Sequence, residues 1–364
     1  MLGWLIRYAR RPALLALACI LTLVCATLLV PSTSGGATSA SFEGLSPQRA
    51  GMAELMRSYN PATGLIGHSW WQAAVALSTL ETFQEATGYA GYRGAISAAF
   101  RDHRSGHFED AYNDDTGWWG LAWLQAYVMS GYEPYLTMAE TDADYIHQSW
   151  DQTCGGGVWW STARKYKNAI PNELFLELTA WLHNAIPGDA KYLNWANAEW
   201  NWFEGSGMIN KSDVINDGLT ADCANNHLTT WTYNQGVLLA GLAQLYKATG
   251  NRALLQTAEG IGQAAIRHLT TRGVLNEPCS GVQCGTGAGG DPQSFKGIFV
   301  QDLKVLAVTA RTSQFSGFFR QQARAIETHD TDWHHQLGMQ WSGPNTSRTS
   351  YSQASAEAAL VAAS

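Results

Sequence analysis

The chain has 364 residues, of which 46% are hydrophobic and only 15% charged, proportions that suit a large buried core. Arg7, Arg10 and Arg11 fall in the first forty residues with no acid beside them, so the remainder carries 20 basic and 30 acidic groups, a net charge of −10. That balance argues against a nucleic-acid partner, whose binding rests on neutralising phosphates with lysine and arginine, and suits a neutral partner or one with few anionic groups.

The first element reads as an export signal. Arg7, Arg10 and Arg11 form a basic flank, and Ala13 to Val30 is an apolar run of 18 residues, followed by Pro31 and a small-residue stretch to Ala40. The run is longer than a usual secretory core and at the lower limit of a membrane span. Both a cleaved signal peptide, cut near Ala40, and a retained anchor through residues 13–30 stay open. In either case the basic flank remains inside and the rest is exported. Residues 1–40 are therefore set aside as signal or anchor, and 41–364, which no Pro/Ser-rich linker divides, are expected to form a single secreted or surface-held domain, a monomer.

From there on the pattern is helical. Apolar residues recur at spacings of three and four, as in Val75, Leu77, Leu80 and Phe83, or Leu238, Leu242 and Leu245. Gly88, Gly131 and Gly250 stand where such runs end, in the position of C-caps. Helices opening on polar-aromatic motifs are predicted near residues 69, 115, 171, 234, 294 and 351. More polar amphipathic helices are predicted over 46–59, 90–103, 134–149, 190–204, 252–269 and 314–328. The fold class is thus all-α, six outer-inner helical pairs in a ring, with inner helices apolar nearly all round and small residues such as Ala240 and Gly241 at close contacts. Such a ring puts the inner-helix N-termini, and the long polar Gly- and Trp-bearing segments before them, at one mouth. Loops of that length in a compact domain are usually functional.

At the second mouth loop stand Asn113-Asp114-Asp115-Thr116-Gly117-Trp118-Trp119. Aspartates before a helix are often only caps, and Asn-Asp-Asp could begin a calcium loop. Calcium, however, takes six to eight oxygens, and no run of regularly spaced acids follows. Two carboxyls beside aromatic rings are what glycosidic chemistry uses, one to protonate the leaving oxygen and one to attack or to direct water. Successive helical residues diverge by about 100°, which leaves these carboxyls roughly 5–7 Å apart. That is nearer the retaining separation of about 5–5.5 Å than the inverting 6.5–9.5 Å. Close carboxyls cannot both ionise cheaply, so one becomes the acid; their order alone does not say which.

The segment Tyr112-Asn113-Asp114-Asp115-Thr116-Gly117-Trp118-Trp119 resembles the signature of glycoside hydrolase family 76, the endo-α-1,6-mannanases. So do Cys154-Gly155-Gly156-Gly157-Val158-Trp159-Trp160, Thr232-Tyr233-Asn234-Gln235-Gly236 and Ser294-Phe295-Lys296-Gly297, in the family's order over about residues 60–310. The resemblance implies an (α/α)6 toroid and a retaining cleavage of α-1,6-linked mannan without a cofactor. It also implies Asp114 as nucleophile and Asp115 as acid/base.

Around the acids, Trp71, Trp119 and Trp160 are the expected sugar platforms, each from a tryptophan pair whose other ring packs inward. Asn113, Asn168, Tyr233, Gln235, Phe295 and Lys296 are the expected further contacts to sugar, although each amide could equally cap a helix. No histidine spacing matches a metal site, and no nucleophile elbow or phosphate loop occurs. Cys154, Cys223, Cys279 and Cys284 remain after the signal, an even number in an exported chain. Three pairings are possible. The proximity of Cys279 to Cys284 favours that pair, leaving Cys154 with Cys223, and the spacings fit no common zinc pattern. Two other functions stay open: a transglycosidase in cell-wall assembly, sharing the site and differing in acceptor, and a glycan-binding surface protein without turnover.

Overall fold

The computed structural model describes residues 45–279 and 290–364. The expected signal or anchor and Cys284 lie outside these residues. Twelve α-helices run in chain order among the described residues: α1 Pro47–Leu55, α2 Trp70–Thr87, α3 Arg93–His103, α4 Asn113–Ser130, α5 Glu133–His147, α6 Ala169–Ala185, α7 Lys191–Gly205, α8 Thr232–Thr249, α9 Arg252–Leu269, α10 Pro292–Ala310, α11 Ser316–His329 and α12 Ser350–Ala362. Two short antiparallel hairpins join them. β1 (Tyr59–Asn60) pairs with β2 (Leu65–Ile66), and β3 (Thr270–Thr271) with β4 (Val274–Leu275). No described helix is long and apolar enough to cross a membrane.

The even-numbered helices form the inner ring. Each packs on the next, α2 on α4 through to α10 on α12, and α12 packs on α2, which closes the (α/α)6 toroid. Odd-numbered helices lie outside, for example α5 against α4, α7 against α6 and α9 against α8. Observed helix starts fall within a few residues of those predicted, because caps and periodicity are local signals. Gly88, Gly131 and Gly250 end α2, α4 and α8 in the left-handed conformation that costs a residue without a Cβ nothing. The tightest approaches of one helix backbone to another fall elsewhere than at Gly241. A Cβ on Gly236 would stand 2.5 Å from Phe299 Cα, and one on Gly297 would stand 2.4 Å from Ser355 Cα. Those two glycines let α10 lie against α8 and α12.

The inner helices are not apolar all round. Glu81, Glu173, Glu177, Asp302 and Glu357 are buried in them. Burial in low dielectric pushes each of these acids well above its ordinary value, and so holds it neutral. The consequence for stability has a definite sign. A folded-state pKa above the unfolded one gives stability that is fully present below the ordinary carboxylate range and is lost as pH rises through the folded value. The melting temperature is therefore expected to fall between pH 5 and pH 8. Asp151, whose carboxylate is held far below the usual range by hydrogen bonds from Trp159 and Lys167, loses its contribution only in strong acid and does not oppose the trend. Calorimetric scans at fixed ionic strength test this, and a melting temperature that is flat or rises across the window contradicts it.

Candidate active site

The mouth of the toroid holds a pocket of about 390 Å3. Five of the six inner helices supply its lining from their first two turns or the residues just before them. Trp71 comes from α2, Tyr112, Asp114, Asp115 and Trp118 from α4, Asn168 from the N-cap of α6, Tyr233 from α8, and Asp291 and Phe295 from α10. Trp160, Tyr166 and Asp217 enter from the loops before α6 and α8. The lining has four carboxyls and no lysine or arginine.

Asp114 and Asp115 occupy the first turn of α4, where free backbone N–H groups and the positive end of the helix favour negative charge. Trp160 Nε1 donates to Asp114 Oδ2 at 3.1 Å, and Asp114 Oδ1 is buried with no protein partner. Burial nevertheless dominates and pushes Asp114 up to about 7, against the Trp160 bond and the backbone N–H groups of Asp114 and Asp115. Asp115 has no such donor. Burial, and then the neighbouring Asp114, Asp110 and Asp291, push it up to about 8. Both acids are thus raised, and only Asp114 has an indole donor, which favours its charged form.

The remaining carboxyls are held in the same manner as Asp114. Tyr166 Oη donates to Asp217 Oδ2 at 2.5 Å and accepts from Asn226 Nδ2 at 2.8 Å, and Trp71 Nε1 donates to Asp291 Oδ1 at 3.2 Å. Aromatic rings make up the rest of the wall. Tyr233 stacks on Phe295 with centroids 3.8 Å apart, Trp71 lies against Trp118 at 5.9 Å, and Tyr112 against Trp160 at 4.7 Å. Flat faces beside carboxyls and hydroxyls can hold the C–H faces and hydroxyls of a sugar. Among the described residues, no three His, Cys, Asp or Glu side chains gather as metal ligands would.

Of the expected sugar contacts, Trp71, Trp160, Asn168, Tyr233 and Phe295 line the pocket, and four do not. Trp119 is fully buried and packs on Trp70, Phe108 and Trp123 in the core. Its neighbour Trp118 faces the pocket instead; spacing alone does not choose between them, since Trp118 lies four residues after Asp114 and Trp119 four after Asp115. Asn113 is buried and donates through Nδ2 to Trp159 O at 2.7 Å, which ties the start of α4 to the tryptophan loop. Gln235 is likewise buried. It accepts from Ile215 N and donates to Ile215 O and Trp231 O, holding the loop before α8. Lys296 is buried, donating to Met339 O at 2.7 Å with its Nζ 4.1 Å from the centroid of the Trp341 ring, and desolvation pushes it down to about 8. These three long polar side chains brace backbone carbonyls that no sequence spacing pairs with them. Tyr112, Trp118 and Tyr166 are pocket residues the sequence reading did not assign.

Cys154 and Cys223 form a disulfide between the loop that carries Trp160, Tyr166 and Asn168 and the loop that carries Asp217. Cys279 is disulfide-bonded as well; its expected partner, Cys284, lies outside the described residues. The Cys154–Cys223 bridge spans 69 residues of chain, so opening it frees a long loop in the unfolded state, a loss of about 4 kcal/mol on the chain-entropy account. Cys154→Ser is expected to lower the denaturation midpoint accordingly with little change in helix content. A variant as stable as the unmodified chain would show that the bridge constrains nothing.

Three comparisons bear on this arrangement. The profile described as "Glycosyl hydrolase family 76" matches residues 48–364. A Schizosaccharomyces pombe protein named putative mannan endo-1,6-alpha-mannosidase is 26% identical over 270 residues, covering 68% of this chain and 60% of that protein. The mannan endo-1,6-alpha-mannosidase DFG5 of Candida albicans is 30% identical over 207 residues, covering 52% of this chain and 46% of that one. The chain thus spans about half to three-fifths of the length of these curated relatives. Among solved structures, an alpha-1,6-mannanase of Salegentibacter sp. HEL1_6 superposes with a TM-score of 0.77 at 21% identity, over 87% of this chain and 97% of that one. That structure is of a variant made inactive by changing two consecutive aspartates to alanine, in complex with alpha-1,6-mannotetrose. A Listeria innocua protein, Lin0763, superposes with a TM-score of 0.78 at 22% identity, covering 87% of this chain and 95% of that one. At these identities the two structures bear on the fold.

Proposed function

The chain belongs to glycosyl hydrolase family 76, and from that premise we propose that it is an exported endo-acting hydrolase of α-1,6-linked mannan working by a two-step retaining mechanism. The observation that carries the reading is the placement of Asp114 and Asp115 in one aromatic-walled pocket, with an indole N–H on Asp114 only. The two consecutive aspartates removed to inactivate the Salegentibacter mannanase, and the names of the fungal relatives, support it. The Cys154–Cys223 disulfide supports export, since such bonds persist in oxidising compartments.

In the first step Asp114, whose charged form the indole donor favours, attacks the anomeric carbon with a carboxylate oxygen. Asp115, still protonated, gives its proton to the glycosidic oxygen as the carbon–oxygen bond breaks. The mannosyl group is then an ester on Asp114. In the second step Asp115, now a carboxylate, takes a proton from water, and the water oxygen displaces Asp114 from the anomeric carbon. Two inversions return the α configuration. Proton NMR of the earliest products of linear α-1,6-mannan is expected to show the α anomer before mutarotation. A β first product would mean inversion and would move the second catalytic carboxyl to Asp291 or Asp217. A mannosyl adduct trapped on Asp115 would keep retention and reverse the two roles.

A further inference from the structure

The sixth inner helix takes no part in the pocket. Its N-terminus instead lines a second cleft of about 600 Å3, formed by Thr349, Ser350 and Tyr351 together with His68, Ser69 and Arg57. Ser69 is the N-cap of α2, and Trp71 of the same first turn faces the pocket. The two openings therefore lie within about one helical turn of each other.

Their chemistry is opposite. The pocket is lined by four carboxyls and no lysine or arginine, whereas the cleft has an arginine, a histidine and several hydroxyls, and no carboxyl. Arg57 is 65% exposed at its side chain, and Nη1 alone reaches Glu54 Oε2, at 3.4 Å. Glu54 thus anchors one corner of the guanidinium and leaves its other donors free. Tyr351 is only 5% exposed, and its hydroxyl oxygen accepts the backbone N–H of both His68, at 2.8 Å, and Ser69, at 2.6 Å. With the oxygen so occupied, the hydroxyl proton is left without a protein acceptor at the cleft wall. Ser69 makes no side-chain capping bond, so the first-turn N–H groups of the 18-residue α2 have no capping side chain either. Buried or fixed donors without acceptors are costly unless something supplies the oxygens.

We propose that this cleft binds a phosphate ester carried by the glycan, on a sugar close along the chain from the scissile bond. The proposal rests on the reading of the substrate as α-1,6-mannan. A phosphate offers several acceptor oxygens to Arg57 and the Tyr351 hydroxyl together, and a planar guanidinium suits it better than an ammonium. The same group in the pocket would face four carboxyls, so the two sites together sort the charged sugar to the cleft and a neutral one to the acids.

Titration calorimetry on Asp114→Asn protein, used to prevent turnover, compares α-1,6-mannotriose, the same trisaccharide bearing a phosphate monoester, and inorganic phosphate. The phosphorylated trisaccharide is expected to bind about tenfold more tightly than the neutral one, the worth of charge-assisted bonds, with a preference that shrinks as salt rises. Arg57→Gln is expected to reduce the preference to about one, and Tyr351→Phe to reduce it in part. Equal affinities in the starting protein, or a preference that survives Arg57→Gln, would overturn the proposal. Inorganic phosphate that binds as tightly as the phosphorylated sugar overturns it too, by assigning the cleft to the free ion. Mannan turnover by the unmodified chain alongside equal affinities sinks the cleft alone. No turnover and no binding of neutral mannotriose sinks the substrate reading and the cleft with it.

Discussion

Asp114→Asn and Asp115→Asn are each expected to cut mannan turnover by more than about a thousandfold, because nucleophilic and acid-base roles each carry factors of that order or more in combination with a shaped site. Both amides keep the size of the acid they replace, and the first turn of α4 is fixed independently by Asn113 N on Trp160 O at 2.8 Å and by Asn113 Nδ2 on Trp159 O. The circular dichroism should therefore not change. The two variants should differ in one respect. A mannoside with an activated aryl leaving group needs no proton to depart, so Asp115→Asn should regain much of the first step on it while Asp114→Asn should not. Near-normal mannan turnover by either variant, with the fold intact, would remove these residues from the chemistry.

Lys167→Met is expected to destabilise the protein by about 1–3 kcal/mol, the usual loss when buried polar groups are left without their hydrogen-bond partner. The Lys167 side chain is 1% exposed. Its Nζ donates to Asp151 Oδ1 at 2.9 Å and to the backbone oxygens of Asp151, Thr153 and Gly156, and it lies between the rings of Trp159 and Trp202. Methionine fills the stem but satisfies none of these oxygens and leaves Asp151 with only the longer contact to Arg164, at 3.6 Å. The loop that Lys167 gathers leads directly to Trp160, so the Asp114–Trp160 bond should loosen as well and activity should fall before global unfolding. Chemical denaturation and turnover, measured on one preparation, separate the two effects. A stability within about 0.5 kcal/mol of the starting protein, the range of surface substitutions, would show that the loop holds itself.

The glycine-tryptophan segment around Lys167 shows where sequence reading stops. Its Trp159-Trp160 pair is plain in the sequence, as is the expectation that one ring faces the cavity. The structure sends Trp160 to Asp114 and Trp159 to Asp151. Nothing local distinguishes the two rings, because their partners stand on opposite sides of a loop whose path is fixed by Lys167, by the disulfide and by the pairing of Asn168 with Gly218.

What the sequence determined by itself was the set of quantities decided within a few turns of chain. These are the helix starts near Trp70, Asn113, Ala169, Thr232, Pro292 and Ser350, the six-pair ring that their order requires, and the position of Asp114-Asp115 at the head of α4. Capping, periodicity and composition act over that range, so a linear reading reaches them. The tertiary structure decided which side chains meet. It turned Trp118 rather than Trp119 into the pocket, and it buried Asn113, Gln235 and Lys296 as braces for loop carbonyls. It also brought Asp217 and Asp291 to the acids from other loops, and gave the sixth helix a cleft of its own. Each of these depends on how far a helix is rotated about its axis when the ring closes. A rotation of about 100°, one residue's worth, exchanges a pocket ring for a core ring without altering the sequence pattern.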